Sequence, residues 1–268
     1  DHRDLHSFPT RRSSDLNLLL VTHYLYALRE QTKAARMHAL FGAKNPHTQS
    51  LRVGGVTCRN EINGSRIGEF RSLLSGLRNF VDTVYLPDVK YLATRYRDWS
   101  RYGSSQNYLC YGDFPLSANE PADFYFPRGV IFDRNLTKVQ NVDVSLIYEH
   151  VARSWYAGVT ARHPSRGETL PDYTDYDTEA RYSWLKAPRY AGRPMEVGPL
   201  ARVLVAYGRG HAEIVPQVKQ FLNDTELTLS DLHSTLGRIA ARALETKVIA
   251  DAMDGWLNGL KSGDATFV

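Results

Sequence analysis

The chain has 268 residues, of which 43% are hydrophobic and 23% are charged. These fractions are close to globular averages and exclude a disordered, fibrous or collagen-like chain. At about 150 residues per domain, the length allows one large domain or two small ones. The formal net charge of +4 comes from basic residues that are scattered along the sequence. It therefore gives little support to a nucleic-acid partner.

The sequence offers neither a membrane span nor a cysteine-based site. No apolar run approaches the roughly 18 residues that cross a bilayer. The two cysteines, Cys58 and Cys110, lie far apart and form no CxxC pair. This chain alone therefore cannot supply a four-thiolate metal site or a disulfide framework.

Residues 1–16 are interpreted as a non-native segment. The stretch from His6 to Leu16 back-translates to DNA that resembles a short-read sequencing adapter. It has neither an apolar region nor a small-residue cleavage site, so it is not a signal peptide. We expect the native sequence to start mid-gene at about Asn17, with the true N-terminus missing. A disordered native tail is the alternative.

Helical periodicity dominates the first hundred residues. From Asn17 to Gly42 the spacing predicts a long amphipathic helix, capped by the first residue and closed by the last. Its apolar stripe is Leu18, Val21, Leu25, Leu28, Ala35 and Ala39. A second helix is predicted from Arg66 to Leu86. Because Pro87 cannot continue the hydrogen-bond ladder, the chain is expected to kink or restart there, with a further helix to Trp99.

Later segments follow other patterns. Short aromatic or β-branched runs predict a small β-rich insertion between Ser104 and Asp133. Residues Gly158 to Gly198 are rich in Tyr, Pro, Gly and Asp and are predicted to be extended. A helix is predicted from Pro199 to Tyr207, and a last one from Ser230 to about Leu260. The predicted fold class is mainly α with a small β-rich insertion, an α+β fold.

The most specific string is LFGAKNPH at residues 40–47, followed by VGGVTC at 53–58. After a long helix, it places Lys44 and His47 on a loop stiffened by Pro46. Loops fixed in this way commonly present polar groups to a site. Taken alone, each of the two side chains is more often a solvent-exposed or structural residue.

A second string reads YSWLKAPRY at 182–190 and continues to MEVGPLAR at 195–202. Its Glu196 lies just before a helix N-terminus, where the helix dipole favours a carboxylate. Arg202 and Arg189 are its expected partners, and a structural ion pair is favoured over a catalytic carboxylate. No GxSxG, HExxH, Walker or GxGxxG motif supports a hydrolase, zincin or nucleotide-binding function.

Together, the two strings closely resemble the large subunit of nickel-iron hydrogenases. The typical family loop reads FGGKNPHPQ and then VGGVTC, so Ala43 replaces the second glycine and Thr48 the second proline. The later string resembles the family's YSWxKAPRYxGxxMEVGPLAR segment almost residue for residue. The resemblance spans Asn17 to Val268, about the middle half of the family's chain. It implies a large-subunit helical core, with residues 17–268 as the middle part of that domain.

The resemblance also implies the chemistry of the complete protein, which is the reversible oxidation of H2 to protons and electrons. In the family, two CxxC motifs hold nickel, and two of their thiolates bridge to an iron that carries carbon monoxide and cyanide. Neither motif is present here, and neither Cys58 nor Cys110 matches one, so neither is a metal ligand. The fragment alone is therefore expected to bind no metal cofactor and to be inactive.

Two site residues follow from the family pattern. His47 would donate a hydrogen bond to a bridging thiolate sulfur and so tune the metal pair. Lys44 would lie nearby and make the local potential more positive towards the small subunit. The implied partners are an iron-sulfur small subunit and a membrane cytochrome or quinone-linked subunit, without nucleic acid. The implied location is the bacterial periplasm, membrane-associated through partner subunits, with export on the partner's twin-arginine signal.

The sequence is compatible with two other functions. The quinone-site subunit of respiratory complex I shares this ancestry without the nickel thiolates, so a non-catalytic scaffold is the main alternative. Absence of both CxxC motifs from the complete gene would favour it. A nucleic-acid binder is suggested only by the basic balance and would show a steep salt dependence of binding.

Overall fold

The computed structural model describes residues 13–117, 123–167 and 170–267. Their backbone contacts separate into two compact units, the described parts of Asp1–Arg95 with Ala243–Val268, and Tyr96–Arg242. Most of the segment interpreted as non-native lies outside the described residues. Within the described ranges, no helix has the length and apolar character needed to cross a membrane.

The first unit is mainly helical. Its helices are α1 (Ser13–Gly42), α2 (Gly64–Phe80), α3 (Leu86–Arg95) and the portion of α6 (Thr235–Asn258) that follows Arg242. A short antiparallel pair, β1 (Leu51–Arg52) with β2 (Gly55–Val56), comes after α1. The core lies between α1, α2 and α6, where Met37, Leu40, Phe70, Leu74, Ala250 and Leu257 are buried together.

The long first helix is confirmed, but its predicted start and cap were wrong. It begins at Ser13, so Asn17 lies inside the helix and is not its cap. The SSD string at 13–15 has residue types that favour a helix start four residues earlier. The apolar stripe also does not face the core: Leu18 is 69% exposed and Leu25 is 55% exposed. Periodicity shows that a helix has an apolar face, but not which face its neighbours cover.

The predicted break at Pro87 takes the form of a wider turn. α2 runs through a π-helical turn, Val81–Tyr85, directly into α3. Proline has no N–H to donate, and its ring clashes with the carbonyl four residues earlier in a regular α-helix. A π turn relieves both problems within a continuous helix. α3 then ends at Arg95, and Trp99 lies in a separate 3-10 turn, Arg97–Arg101, so the predicted extension to Trp99 was wrong.

The described part of the second unit contains three antiparallel strand pairs. These are β3 (Tyr108–Cys110) with β6 (Gly129–Ile131), β4 (Asp113–Pro115) with β5 (Phe124–Phe126), and β7 (Ile147–His150) with β8 (Ala187–Tyr190). The first two pairs confirm the β-rich insertion predicted between Ser104 and Asp133. The third pair adds a strand to the segment that was predicted to be extended.

Helix α4 (Pro199–Gly208) is the centre of this unit. Leu200, Ala201, Val203, Leu204, Val205 and Ala206 are all buried. Helix α5 (Ile214–Thr225) was not predicted, although Ile214, Val218 and Phe221 have helical spacing and are buried. The last helix starts at Thr235 rather than Ser230, because Thr228 and Asp231 form a capping box around the 3-10 turn Leu229–Leu232.

Candidate functional site

The loop that follows α1 is held in one shape by its own backbone. The amide of Gln49 donates to the carbonyl of Gly42 at 2.9 Å, which closes the loop on the helix end. A Cβ on Gly42 would lie 2.5 Å from Cγ2 of Thr48, so any larger residue there would force the Thr48 side chain to move. The Asn45–Pro46 peptide bond is cis. The side-chain amide nitrogen of Asn45 lies 3.0 Å from Nδ1 of His38.

Both predicted site residues lie on this loop and point to its outside. The side chains of Lys44 and His47 are exposed. Within the described part of the chain, neither forms a hydrogen bond or an ion pair. The backbone at His47 has a positive φ of 31°, and Ala43 has a φ of 69°. The loop is thus shaped by short-range contacts, while the side chains of Lys44 and His47 remain exposed.

A large apolar cavity lies beside the loop in the first unit. Its volume is about 770 Å³, and both Gly42 and Thr48 contribute to its lining. Met37, Phe41, Phe70 and Met253 provide aliphatic and aromatic walls. No Asp, Glu, Lys or Arg is among its described lining residues, and His38 is the one basic side chain among them, so the cavity mainly suits an apolar occupant.

The described residues do not form a metal centre. Cys58 is half-buried, and Cys110 is buried in β3, where it pairs with Gly129. Within the described ranges, no group of three or more His, Cys, Asp or Glu residues could hold a metal ion. A nickel centre needs several soft ligands, so these residues do not fit one, and no chemical step through a metal is derived from them.

Glu196 forms a two-point ion pair with an arginine that the sequence did not suggest. Its carboxylate oxygens accept from Nε and Nη2 of Arg238 at 2.6 and 2.7 Å. The expected partners were wrong: Arg202 reaches Asp113 at 3.8 Å, and Arg189 donates to the carbonyl of Pro188 at 2.8 Å. The favoured structural ion pair is therefore present with a different partner, because α6 supplies an arginine 42 positions away in sequence.

A buried tyrosine and histidine continue this polar network within the second unit. The hydroxyl of Tyr108 donates to the carbonyl of Ser105 at 3.0 Å. It lies 2.8 Å from Nδ1 of His233, which must then be the donor, so the neutral imidazole carries its proton on Nδ1. Burial raises the pKa of Tyr108 to about 12, and the charge on Glu196 adds to the shift.

The imidazole of His233 is kept neutral by its surroundings. Burial lowers its pKa below the ordinary 6.5, and the charge of Arg134 lowers it further, against the opposing charge of Glu196. The pKa of Arg238 is raised, chiefly by its hydrogen bonds to Glu196. The hydrogen bonds that link these side chains all join residues of the second unit, so the network stabilises the fold of that unit. Sequence reasoning missed it because the bonded residues are up to 125 positions apart.

Residues 6–267 match the family model described as nickel-dependent hydrogenase. The chain belongs to the nickel-dependent hydrogenase family. It is 36% identical over 283 residues to the quinone-reactive Ni/Fe-hydrogenase large chain of Wolinella succinogenes, covering 96% of this chain and 49% of that protein. It is 38% identical to the uptake hydrogenase large subunit of Rhizobium leguminosarum bv. viciae, covering 94% and 48%.

Solved hydrogenase structures have the same fold. The Ni-Fe-Se hydrogenase from Desulfovibrio vulgaris Hildenborough superposes with a TM-score of 0.84 at 33% identity, over all of this chain and 56% of that one. This hydrogenase chain therefore has the large-subunit α+β fold, as predicted. It spans about half the length of the relatives it matches.

Proposed function

We propose that the complete polypeptide is the catalytic large subunit of a nickel-iron hydrogenase, which converts H2 reversibly to two protons and two electrons. The observation that carries this proposal is the match of residues 6–267 to the nickel-dependent hydrogenase family. The complete protein would hold a nickel-iron centre with carbon monoxide and cyanide on the iron. Its ligand cysteines would come from segments outside this chain.

The first experiment tests the activity of the whole protein. The complete gene, expressed with its small subunit, should reduce benzyl viologen under H2 and contain stoichiometric nickel. The flanking gene sequence should encode a CxxC motif on each side of residues 17–268. A complete gene without both motifs would instead favour the non-catalytic scaffold related to complex I, and a nickel-free product without activity would contradict the proposal.

We further propose that His47 and Lys44 act on the metal site from outside its ligand set. Their exposure on a self-supported loop supports this proposal, since both side chains are free to meet a group supplied by another segment. His47 would donate a hydrogen bond to a bridging thiolate sulfur, and Lys44 would make the nearby potential more positive. Loss of such an outer partner typically costs about 10- to 100-fold in metal affinity or activity.

The test replaces His47 in the complete enzyme. His47→Ala should lower H2 turnover by about 10- to 100-fold and shift the infrared bands of the iron-bound carbon monoxide and cyanide. Gln49→Ala, an exposed position in the same loop, is the matched control and should change neither. Unchanged bands with a shifted iron-sulfur cluster potential would refute contact with the thiolate and place His47 against the small subunit.

The partners and location of the complete protein are proposed on the same basis. An iron-sulfur small subunit would carry the electrons, and a membrane cytochrome or quinone-linked subunit would receive them. The similarity to a large chain named quinone-reactive supports a quinone-linked partner. Periplasmic location, with attachment to the membrane through these partners, predicts that the complete complex sediments with membranes and is released from them by detergent but not by salt.

A further inference from the structure

A pocket with a cationic lining opens beside the β7–β8 pair in the second unit. Its volume is about 410 Å³, and its charged lining residues are Arg153, Lys186 and Arg189, with His150 at the end of β7. No aspartate or glutamate is among the residues that line it. Pockets of this size accommodate several side chains or a small ligand.

The two arginines that line the pocket are bonded to backbone carbonyls. Arg153 donates to the backbone carbonyls of Glu179 and Ala180. Arg189 donates to the carbonyl of Pro188 at 2.8 Å. Among the described residues, neither guanidinium forms an ion pair with a carboxylate. Lys186 differs, because Glu149 lies 2.9 Å from its Nζ and balances its charge.

These backbone contacts occupy only some of the donors of each guanidinium. A guanidinium has five N–H donors in a fixed plane, so one bond to a carbonyl leaves several donors for another group. Carboxylates are the natural complement, because they accept two parallel N–H bonds from one guanidinium. The pocket therefore presents two oriented donor groups that lack an acidic partner.

Exposed apolar and aromatic side chains line the pocket or are neighbours in sequence of residues that line it. Leu185, which lines it, is 79% exposed, and Tyr182, which also lines it, is 46% exposed. Trp184 between them is 47% exposed and stacks on Tyr173 at 6.3 Å between ring centroids. Tyr, Trp and Arg are the residues most enriched at protein–protein interfaces and at their energetic centres.

We propose that this pocket binds an acidic segment of a partner polypeptide. Carboxylate side chains of that segment would meet Arg153 and Arg189, while its apolar residues would cover Leu185 and Trp184. A small inorganic anion would satisfy the charges but leave the apolar rim in water. The proposal depends only on the charge and exposure of these residues and stands apart from hydrogen turnover.

The experiment places a photo-crosslinking amino acid, p-benzoylphenylalanine, at position 185 of the complete protein purified together with its partner subunits. Mass spectrometry should find one dominant crosslinked peptide, from a partner subunit and with at least two Asp or Glu residues near the crosslink. No crosslink, a crosslink within the same polypeptide, or a partner peptide without acidic residues would each overturn the proposal.

Charge reversal then tests the role of the arginines. Arg189→Glu should lower the crosslinking yield at least tenfold, and exchange of the identified acidic residue for arginine should restore it. Arg166→Glu, an exposed arginine that does not line the pocket, makes the same charge change and should leave the yield within twofold. Near-ultraviolet circular dichroism of the aromatic cluster checks folding, and Arg189→Gln replaces the reversal if that signal is lost. An equal loss in both reversal variants would refute recognition by charge.

Discussion

Ala43 holds a backbone conformation that costs free energy for any residue with a side chain. Its φ of 69° lies in the left-handed region, and its side chain is exposed. A left-handed conformation costs a non-glycine residue roughly 1–2 kcal/mol, while glycine adopts it freely. The resembling family loop has glycine here, which agrees with this geometry. We therefore expect Ala43→Gly to stabilise the loop by up to about 1 kcal/mol.

Hydrogen exchange of the complete protein measures this effect locally. Amides of residues 43–49 should exchange about fivefold more slowly in the Ala43→Gly variant, since 1 kcal/mol corresponds to roughly that factor at room temperature. The matched control is Ala39→Gly in α1, where glycine should cost about 1 kcal/mol in the helix and speed exchange. Faster exchange of the loop amides in the Ala43→Gly variant would contradict the argument that Ala43 is strained.

The lowered pKa of His233 makes the free energy of unfolding depend on pH. In the unfolded chain its pKa is near 6.5, whereas burial keeps it lower in the fold. Below pH 6.5 the unfolded chain therefore binds a proton that the folded chain does not. The free energy of unfolding should fall as the pH decreases from 6.5 to the folded-state pKa, and His233 should contribute no pH dependence above that range.

Urea unfolding of the complete protein between about pH 5 and 8 measures this dependence. His233→Gln should reduce the slope on the acid side. Tyr108→Phe is the control, because it leaves the imidazole buried and should keep the slope while lowering stability by about 1–3 kcal/mol at all pH values. An unchanged acid slope in His233→Gln would assign it to other groups.

At the scale of single residues, features formed by neighbours in sequence could be predicted, whereas contacts between distant residues could not. The loop with Lys44 and His47 could be recognised because a helix end, a proline and two polar residues are adjacent in sequence. The partner of Glu196 could not, because Arg238 lies 42 positions later in the chain, in α6, beyond α4 and α5. Judged by charge and sequence spacing, Arg202 and Arg189 were equally good candidates for the partner of Glu196. Which arginine reaches the carboxylate is set by packing, and no local pattern encodes it.

Helix α1 presents an apolar stripe that is largely exposed in the described part of the chain. Leu18, Val21, Leu25 and Leu28 recur at steps of three and four and are between 40% and 69% exposed. Contiguous apolar surface of this kind marks an interface or an aggregation-prone face. Met37, on the covered face of the same helix, is only 4% exposed. We therefore expect the isolated 268-residue chain to self-associate through this stripe.

Sedimentation velocity tests this expectation. The double variant Leu18→Gln with Leu25→Gln should shift the isolated chain towards monomer, with a stability change within about 0.5 kcal/mol because both sites are exposed. Met37→Gln is the comparison, since a buried polar replacement should destabilise the first unit by about 2–5 kcal/mol without reducing association. Unchanged association in the double variant would rule out the stripe as the contact.

At the scale of elements, the sequence was most informative where the pattern was long and continuous. The helices α1, α2, α4 and α6 and the strands near residues 108–131 all follow local periodicity. The β7–β8 pair was missed because β8 reads APRY, which lacks an alternating pattern and contains a proline. The π turn could not be foreseen either, since Pro87 is compatible with a kink, a break or a wider turn. Tertiary packing selects among these outcomes.

At the scale of the whole molecule, the sequence was enough to identify the family, but it did not contain the ligand set of a metal centre. Each of the two motif strings is a run of neighbouring residues, so both can be recognised in a chain that spans about half the length of its relatives. A metal site, in contrast, is assembled from segments that are distant in sequence. The family identity and the absence of a ligand set among the described residues are therefore compatible.

This reasoning predicts the behaviour of the isolated chain towards nickel. Metal affinity requires several ligands that converge in the fold, and the described residues form no group of three or more His, Cys, Asp or Glu that could hold a metal ion. The 268-residue chain, expressed with the nickel-insertion machinery of its host, should contain far less than one nickel per chain and show no H2-dependent dye reduction. The complete gene expressed in parallel is the control and should contain nickel and reduce the dye. Stoichiometric nickel in the isolated chain that is lost in Cys58→Ser or Cys110→Ser would show that these thiols are ligands after all. That outcome would require a metal site assembled within residues 17–268.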